Sequence, residues 1–237
     1  MAATKGTRAK GQKTKKRIPH RAGTTLWTER TQRGIRILQV PQLAKLPWLV
    51  HGFSTRQGGA SQLDGKRVLN LGFTEWDARE NVKENRARLQ AAVGAQDLKL
   101  VPLLQFHSDA ILHFESAPTE PSRADASVTK TAGLLLAVQT ADCVPILLVD
   151  SKNRAVAAVH AGWRGTLARI VEKAIGRMQM QFGTQAADLL AAIGPAIGGC
   201  CYEVGTEVAA AFSGNLRMRR NFSMSCAPAT SRIRCSG

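Results

Sequence analysis

Three side chains able to hold a soft divalent ion, or to start nucleophilic chemistry, stand at the ends of apolar runs: His107 in LLQFHSD, Cys143 in TADCVP and His160 in VHAGWRG. Between them lie 35 and 16 residues, which matches no local zinc-finger spacing. The separations suit a site assembled from the ends of different strands. Zinc accepts imidazole nitrogen and thiolate together, and three protein ligands leave a fourth position for water or substrate. Water bound there has its pKa lowered to about 7. Spacing leaves two other readings open. A cysteine in an apolar strand is commonly a packing residue, and Cys143 with His160 as its base could form a metal-free nucleophile pair.

The neighbourhood of His160 adds a second theme. Strand 155–160 runs through His-Ala-Gly-Trp-Arg-Gly into an expected helix over 166–180. Gly162 and Gly165 allow backbone to approach a ligand, the helix N-terminus offers N–H groups, and Arg164 could fork onto phosphate or carboxylate. Strand 188–193 followed by Gly-Pro-Ala-Ile-Gly-Gly-Cys-Cys repeats the layout, and Ser54-Thr55-Arg56-Gln57-Gly58-Gly59 reads as a third Gly-rich turn. Two of these turns carry an arginine, so Arg56 and Arg164 are the expected anion-holding pair in a pocket for a polar small molecule. Asp109 and Ser108 are placed to orient the His107 ring. Asp142 is read either as a partner of the site or as a strand-end hydrogen bonder, facing away from Cys143 if both lie on a strand. Cys200-Cys201 reads as a tight helix start or an extra ligand, His51 and His113 as structural, and Trp163 as a base-stacking ring or a core cover.

These residues need elements to position them. Short Val-, Ile- and Leu-rich runs bounded by Gly, Pro, Asn or Asp predict strands at 35–40, 49–54, 98–106, 133–139, 144–149, 155–160 and 188–193. Apolar residues at helical spacing predict helices over 79–93 and 166–180, with a third over 203–212. Strands outnumber helices without strict alternation, which predicts an α+β domain with a mixed sheet. The expected organisation is a basic disordered arm at 1–24, one domain over 25–212, and an irregular basic tail at 213–237.

Charge follows that division. The chain of 237 residues carries a net +16, but 1–24 holds +8 and 215–237 holds +5, which leaves +3 for the rest. A tail of this kind can touch phosphate backbones without sequence specificity, and no specific nucleic acid is expected for the domain. Five cysteines (Cys143, Cys200, Cys201, Cys226 and Cys235), one adjacent pair among them, argue for a reducing compartment rather than a disulfide framework. No run reaches the ~20 apolar residues of a membrane span, and the N-terminus lacks the apolar segment of a secretory signal. A cytoplasmic monomer or homodimer is expected.

Taken together, HGFSTRQGG…LNLG (51–72), LLQFHSD (103–109), ADASVT (124–129), VQTADCVPILLVD (138–150), AVHAGWRGTLARI (158–170) and IGPAIGGCCYEVG (193–205) resemble the purine nucleoside phosphorylase family, also named multicopper polyphenol oxidase or laccase-domain proteins. The similarity covers about 34–212. It implies a mixed β-sandwich flanked by helices and a metal site on His107, Cys143 and His160, taking zinc or, in older descriptions, copper. It also implies phosphorolysis of adenosine, inosine, guanosine and S-methyl-5′-thioadenosine, with adenosine deamination. The family has been linked to peptidoglycan-precursor editing too, which would suit an amidohydrolase. Oxidation of phenols would need several copper centres, and two motif histidines are few for that. Family members continue past CCYEVG with a further helix and a second Cys-containing segment. Residues 213–237 show neither, so an incomplete C-terminal part is expected.

Overall fold

The computed structural model describes residues 27–214. The basic arm at 1–24 and the tail from 215 onward lie outside the described residues. The first elements are β1 (Thr28–Gln32), β2 (Ile35–Gln39) and β3 (Phe53–Ser54), an antiparallel sheet in that order. A hairpin of β4 (Gln57–Leu63) and β5 (Lys66–Val68) follows, then α1 (Arg79–Val93). Next come β6 (Lys99–Val101), β7 (Leu103–Leu104), β8 (Ile111–His113), β9 (Ser122–Arg123), β10 (Ala126–Thr129) and β11 (Leu134–Leu136). The chain then forms β12 (Val144–Asp150), β13 (Ala155–Ala161), α2 (Trp163–Leu167), α3 (Ile170–Phe182), β14 (Leu189–Ile193) and α4 (Thr206–Ser213).

The central sheet has the order β14-β12-β13-β10-β8, antiparallel except for the parallel β10/β8 pair. Side chains on a strand alternate between faces. Ala155, Ala157, Val159 and Ala161 of β13, with Ile146 and Leu148 of β12, meet Ile170, Ala174, Met178 and Phe182 of α3. On the opposite face Leu147, Val149, Val156 and Leu190 pack with Leu43, Phe53 and Trp27 around the first sheet. Burial on both faces explains why β12 and β13 read as continuous apolar runs. The result is the expected α+β domain, a mixed sheet covered by a second sheet and by helices, with α1 lying over β2 and β4 through Ile35, Ile37, Leu69 and Ala92.

Several local expectations change. The helix at 79–93 is found with those bounds, but 166–180 is two helices, because Arg169 adopts a left-handed φ of 62° between α2 and α3. That turn redirects the chain from the loop at 107–108 onto the sheet. Of 49–54 only Phe53–Ser54 is strand, and the Gly-rich turn at 54–59 runs into β4, whose ladder with β5 shifts register between Gln57 and Ser61. Pro102 divides 98–106 into β6 and β7, and 105–107 is loop. The last helix begins at Thr206, after the Cys200-Cys201 turn rather than at it.

Candidate metal centre

His160 lies inside β13, opposite Pro145 of β12, and one step further Val144 faces Ala161. Cys143 directly precedes Val144, so the ladder register alone sets the thiol beside the end of β13. His107 arrives from elsewhere, on the loop after β7. The ligand atoms of His107, Cys143 and His160 all lie within 4.8 Å of one another. The two imidazoles meet edge to face, with centroids 4.9 Å apart. His107 is exposed, Cys143 half-buried and His160 only 3% exposed, so one side of the group opens to solvent. Gly162 closes the other side. A Cβ there would lie 3.0 Å from His107 Cδ2 and 3.3 Å from Cys143 Sγ, so a side chain at this position would push both ligands aside by a few tenths of an ångström.

Asp125 holds this arrangement, and sequence reasoning missed it. The β10/β13 register continues past Ala126, so the His160 N–H donates to the Asp125 carbonyl at 2.7 Å. That pairing brings the Asp125 carboxylate to His160 Nδ1 at 2.8 Å. The same carboxylate accepts the backbone N–H groups of Phe106, His107 and Ser108 at 3.3, 3.0 and 2.7 Å, and the Ser108 hydroxyl at 2.6 Å. These bonds hold His107 at a left-handed φ of 60°. The one available signal was an acidic residue inside the small, buried run Ala124–Ser127 (Asp125 itself is 0% exposed), where an unpartnered charge would be costly.

Burial would raise the Asp125 pKa, but hydrogen bonds from Ser108, His160 and Phe106 outweigh it and hold the carboxyl below its ordinary value. An ionised carboxylate only accepts. The proton of His160 therefore sits on Nδ1, and Nε2 keeps the lone pair a metal needs. Burial and the charges of Asp142 and Asp125 push the Cys143 thiol up. A nucleophilic cysteine requires electropositive surroundings to ionise, and these are the reverse. A divalent cation is the partner that would make this thiol a thiolate. Two imidazoles and a thiolate suit zinc or another borderline-soft ion in chemistry, and their ligand atoms lie near enough to one another to share one.

The other expected site residues are placed as follows. Arg164 lies on α2, exposed, its guanidinium carbon over the Trp163 ring, 4.3 Å from the centroid. Arg56 is exposed between β3 and β4, its carbonyl accepting from Leu69 N–H. Asp109 does not orient His107 but pairs with Lys173 of α3, while Ser108 serves Asp125. Asp142 and Cys143 precede β12 in a bend, so strand alternation does not separate them, and the Asp142 carbonyl accepts from Ile197 N–H. Cys200 and Cys201 are exposed with their sulfurs 3.3 Å apart. His51 is buried and accepts the Val40 N–H, and His113 packs on Phe182, both structural contacts. No helix among the described residues is long and apolar enough to cross a membrane.

A family model described as multi-copper polyphenol oxidoreductase laccase matches residues 50–233, so the match continues past 212, the end of the resemblance read from the sequence. A Deinococcus radiodurans protein named purine nucleoside phosphorylase is 41% identical over 182 residues, spanning 77% of this chain and 68% of its own length. Purine nucleoside phosphorylase YfiH of Escherichia coli K12 is 42% identical over 175 residues, spanning 74% and 70%. The crystal structure of YlmD from Geobacillus stearothermophilus superposes with a TM-score of 0.70 at 30% identity, covering 80% of this chain and 72% of that one.

Proposed function

The chain belongs to the multi-copper polyphenol oxidoreductase laccase family, and from that membership we propose that it is a metal-dependent purine nucleoside phosphorylase, the activity for which its relatives are named. The observation that carries the reading is the meeting of His107, Cys143 and His160 within 4.8 Å on an open face, with the His160 tautomer fixed by Asp125. A divalent ion held there would supply Lewis acidity to a substrate oxygen. The protein's own part is to position. Asp125 holds the two imidazoles, and Gly162 keeps side-chain bulk out of the ligand sphere. Arg164 is proposed to hold phosphate: its guanidinium lies over the Trp163 ring and is exposed, and a guanidinium fork matches the oxygens of an anion. Arg56 is proposed as its companion. Adenosine, inosine, guanosine and S-methyl-5′-thioadenosine are the proposed substrates, and deamination of adenosine a second reaction of the same site. Zinc is the proposed ion.

The copper-oxidase reading of the family description finds less support. Among the described residues one three-donor group is present, whereas oxidation through several copper centres needs more ligands. The metal-free thiol hydrolase, including the peptidoglycan-editing form, is disfavoured by the two carboxylates that oppose ionisation of Cys143. The deciding experiment incubates the protein with inosine with and without phosphate. Phosphate-dependent release of hypoxanthine, lost in His107→Ala together with bound zinc, is the expected result. Release independent of phosphate, or none from zinc-loaded protein, overturns the reading.

A further inference from the structure

The His107 loop and the Cys143 loop share no strand ladder. β7 pairs with β9, whereas β12 pairs with β13 and β14. A side chain makes the missing connection. Gln105 Nε2 donates to the Gln139 carbonyl at 2.8 Å, and the Gln139 N–H donates to Gln105 Oε1 at 2.7 Å. These are the two bonds that a neighbouring strand would exchange with Gln139. Gln105 stands two residues before His107 and Gln139 four residues before Cys143, so the pair ties the two segments just ahead of both ligands. The Gln139 side chain is anchored in turn. With its amide nitrogen toward the Leu71 carbonyl at 3.1 Å, its oxygen accepts from Arg86 at 3.1 Å, and Arg86 Nε donates to the same Leu71 carbonyl at 2.8 Å.

We propose that Gln105 is a positioning residue of the metal centre, a side-chain clamp on the Gln139 backbone that sets the separation of His107 from Cys143. The proposal rests on the metal-centre reading above. It differs from the Asp125 arrangement, which joins His107 to His160, and from the β12/β13 register, which sets Cys143 beside the end of β13: neither bonds the His107 loop to the segment leading into Cys143 directly. Ligand atoms must be held to within about 0.5 Å for a site to keep its affinity, and the loop around His107 has no ladder partner on the Cys143 side.

The test compares Zn2+ affinity by chelator competition in the wild-type chain and three variants, Gln105→Met, Gln105→Glu and Gln139→Ala. Intensity of the thiolate-to-cobalt absorption in Co2+-loaded protein is read alongside. Gln105→Met keeps the length and loses both bonds, and is expected to weaken Zn2+ binding about tenfold or more and to diminish the cobalt band. Gln105→Glu can still accept from the Gln139 N–H and should fall between. Gln139→Ala keeps the main-chain partners and should bind within about twofold of wild type. A wild-type affinity in Gln105→Met, or in Gln105→Glu should Gln105→Met fail to fold, overturns the proposal alone. An equal loss in Gln139→Ala overturns it too, since the side-chain network would then be the cause. A wild-type chain that takes up no Zn2+ defeats the metal-centre reading and the clamp together.

Discussion

Replacing Asp125 with asparagine exchanges one carboxylate oxygen for an NH2 group, and the geometry allows no harmless orientation. If the NH2 takes the Oδ2 place, it faces the Phe106 and Ser108 N–H donors at 3.3 and 2.7 Å. Each is then left without an acceptor, at about 1–3 kcal/mol apiece when buried. If it takes the Oδ1 place, it faces the His107 N–H at 3.0 Å and His160 Nδ1 at 2.8 Å. Nδ1 must then accept, the ring proton moves to Nε2, and the lone pair aimed at the metal is lost. Either way Zn2+ affinity should fall about 10–100-fold, or about 1.4–2.8 kcal/mol. The metal-free protein should also lose at least about 1–3 kcal/mol of stability. Chelator competition and urea unfolding of the metal-free chain measure the two effects. Ser108→Ala is the control, because it removes one of the five bonds and spares the tautomer, and should cost less than about tenfold. An Asp125→Asn protein with unchanged Zn2+ affinity and unchanged unfolding would refute the account of how the site is held.

Gly162→Ala should fold, because φ −71° and ψ 172° suit any residue, yet its methyl group would press on His107 and Cys143. Zinc content after dialysis should fall well below that of wild type. Met178→Ala, at a fully buried position under the sheet and away from the ligands, should cost about 2–5 kcal/mol in urea unfolding while sparing zinc content. Burial holds the His51 imidazole below its ordinary value, so the folded pKa is the lower one. The stability it contributes is complete above about pH 6.5 and is lost as pH falls from there toward the folded value. His51→Gln should flatten that acid limb, read as urea midpoints across the range.

The strands that carry the candidate ligands were legible because β12 and β13 are buried on both faces and read as apolar runs that stop at polar residues. The ligands sit at those stops. The left-handed Arg169 was not legible. Leu167, Ile170, Val171 and Ala174 keep a helical period straight across the break, and periodicity is blind to a single backbone reversal. Strand β4 was hidden by Gly58 and Gly59, which read as a turn but sit in an irregular ladder against β5. Asp125 and Gln105 act mainly on main-chain groups, 17 to 35 residues away for Asp125 and 34 for Gln105. A main-chain partner leaves no mark on sequence type, so their contribution emerges only in three dimensions.

The carboxylate of Asp125 gathers three successive amides while never belonging to the ligand set itself. Anyone transplanting this centre into a different scaffold by copying two imidazoles and a thiolate would export the teeth without the jaw. The smallest portable unit must include the acidic residue and the tripeptide curled around it, because the curl is templated by an anion that is covalently present before any cation arrives.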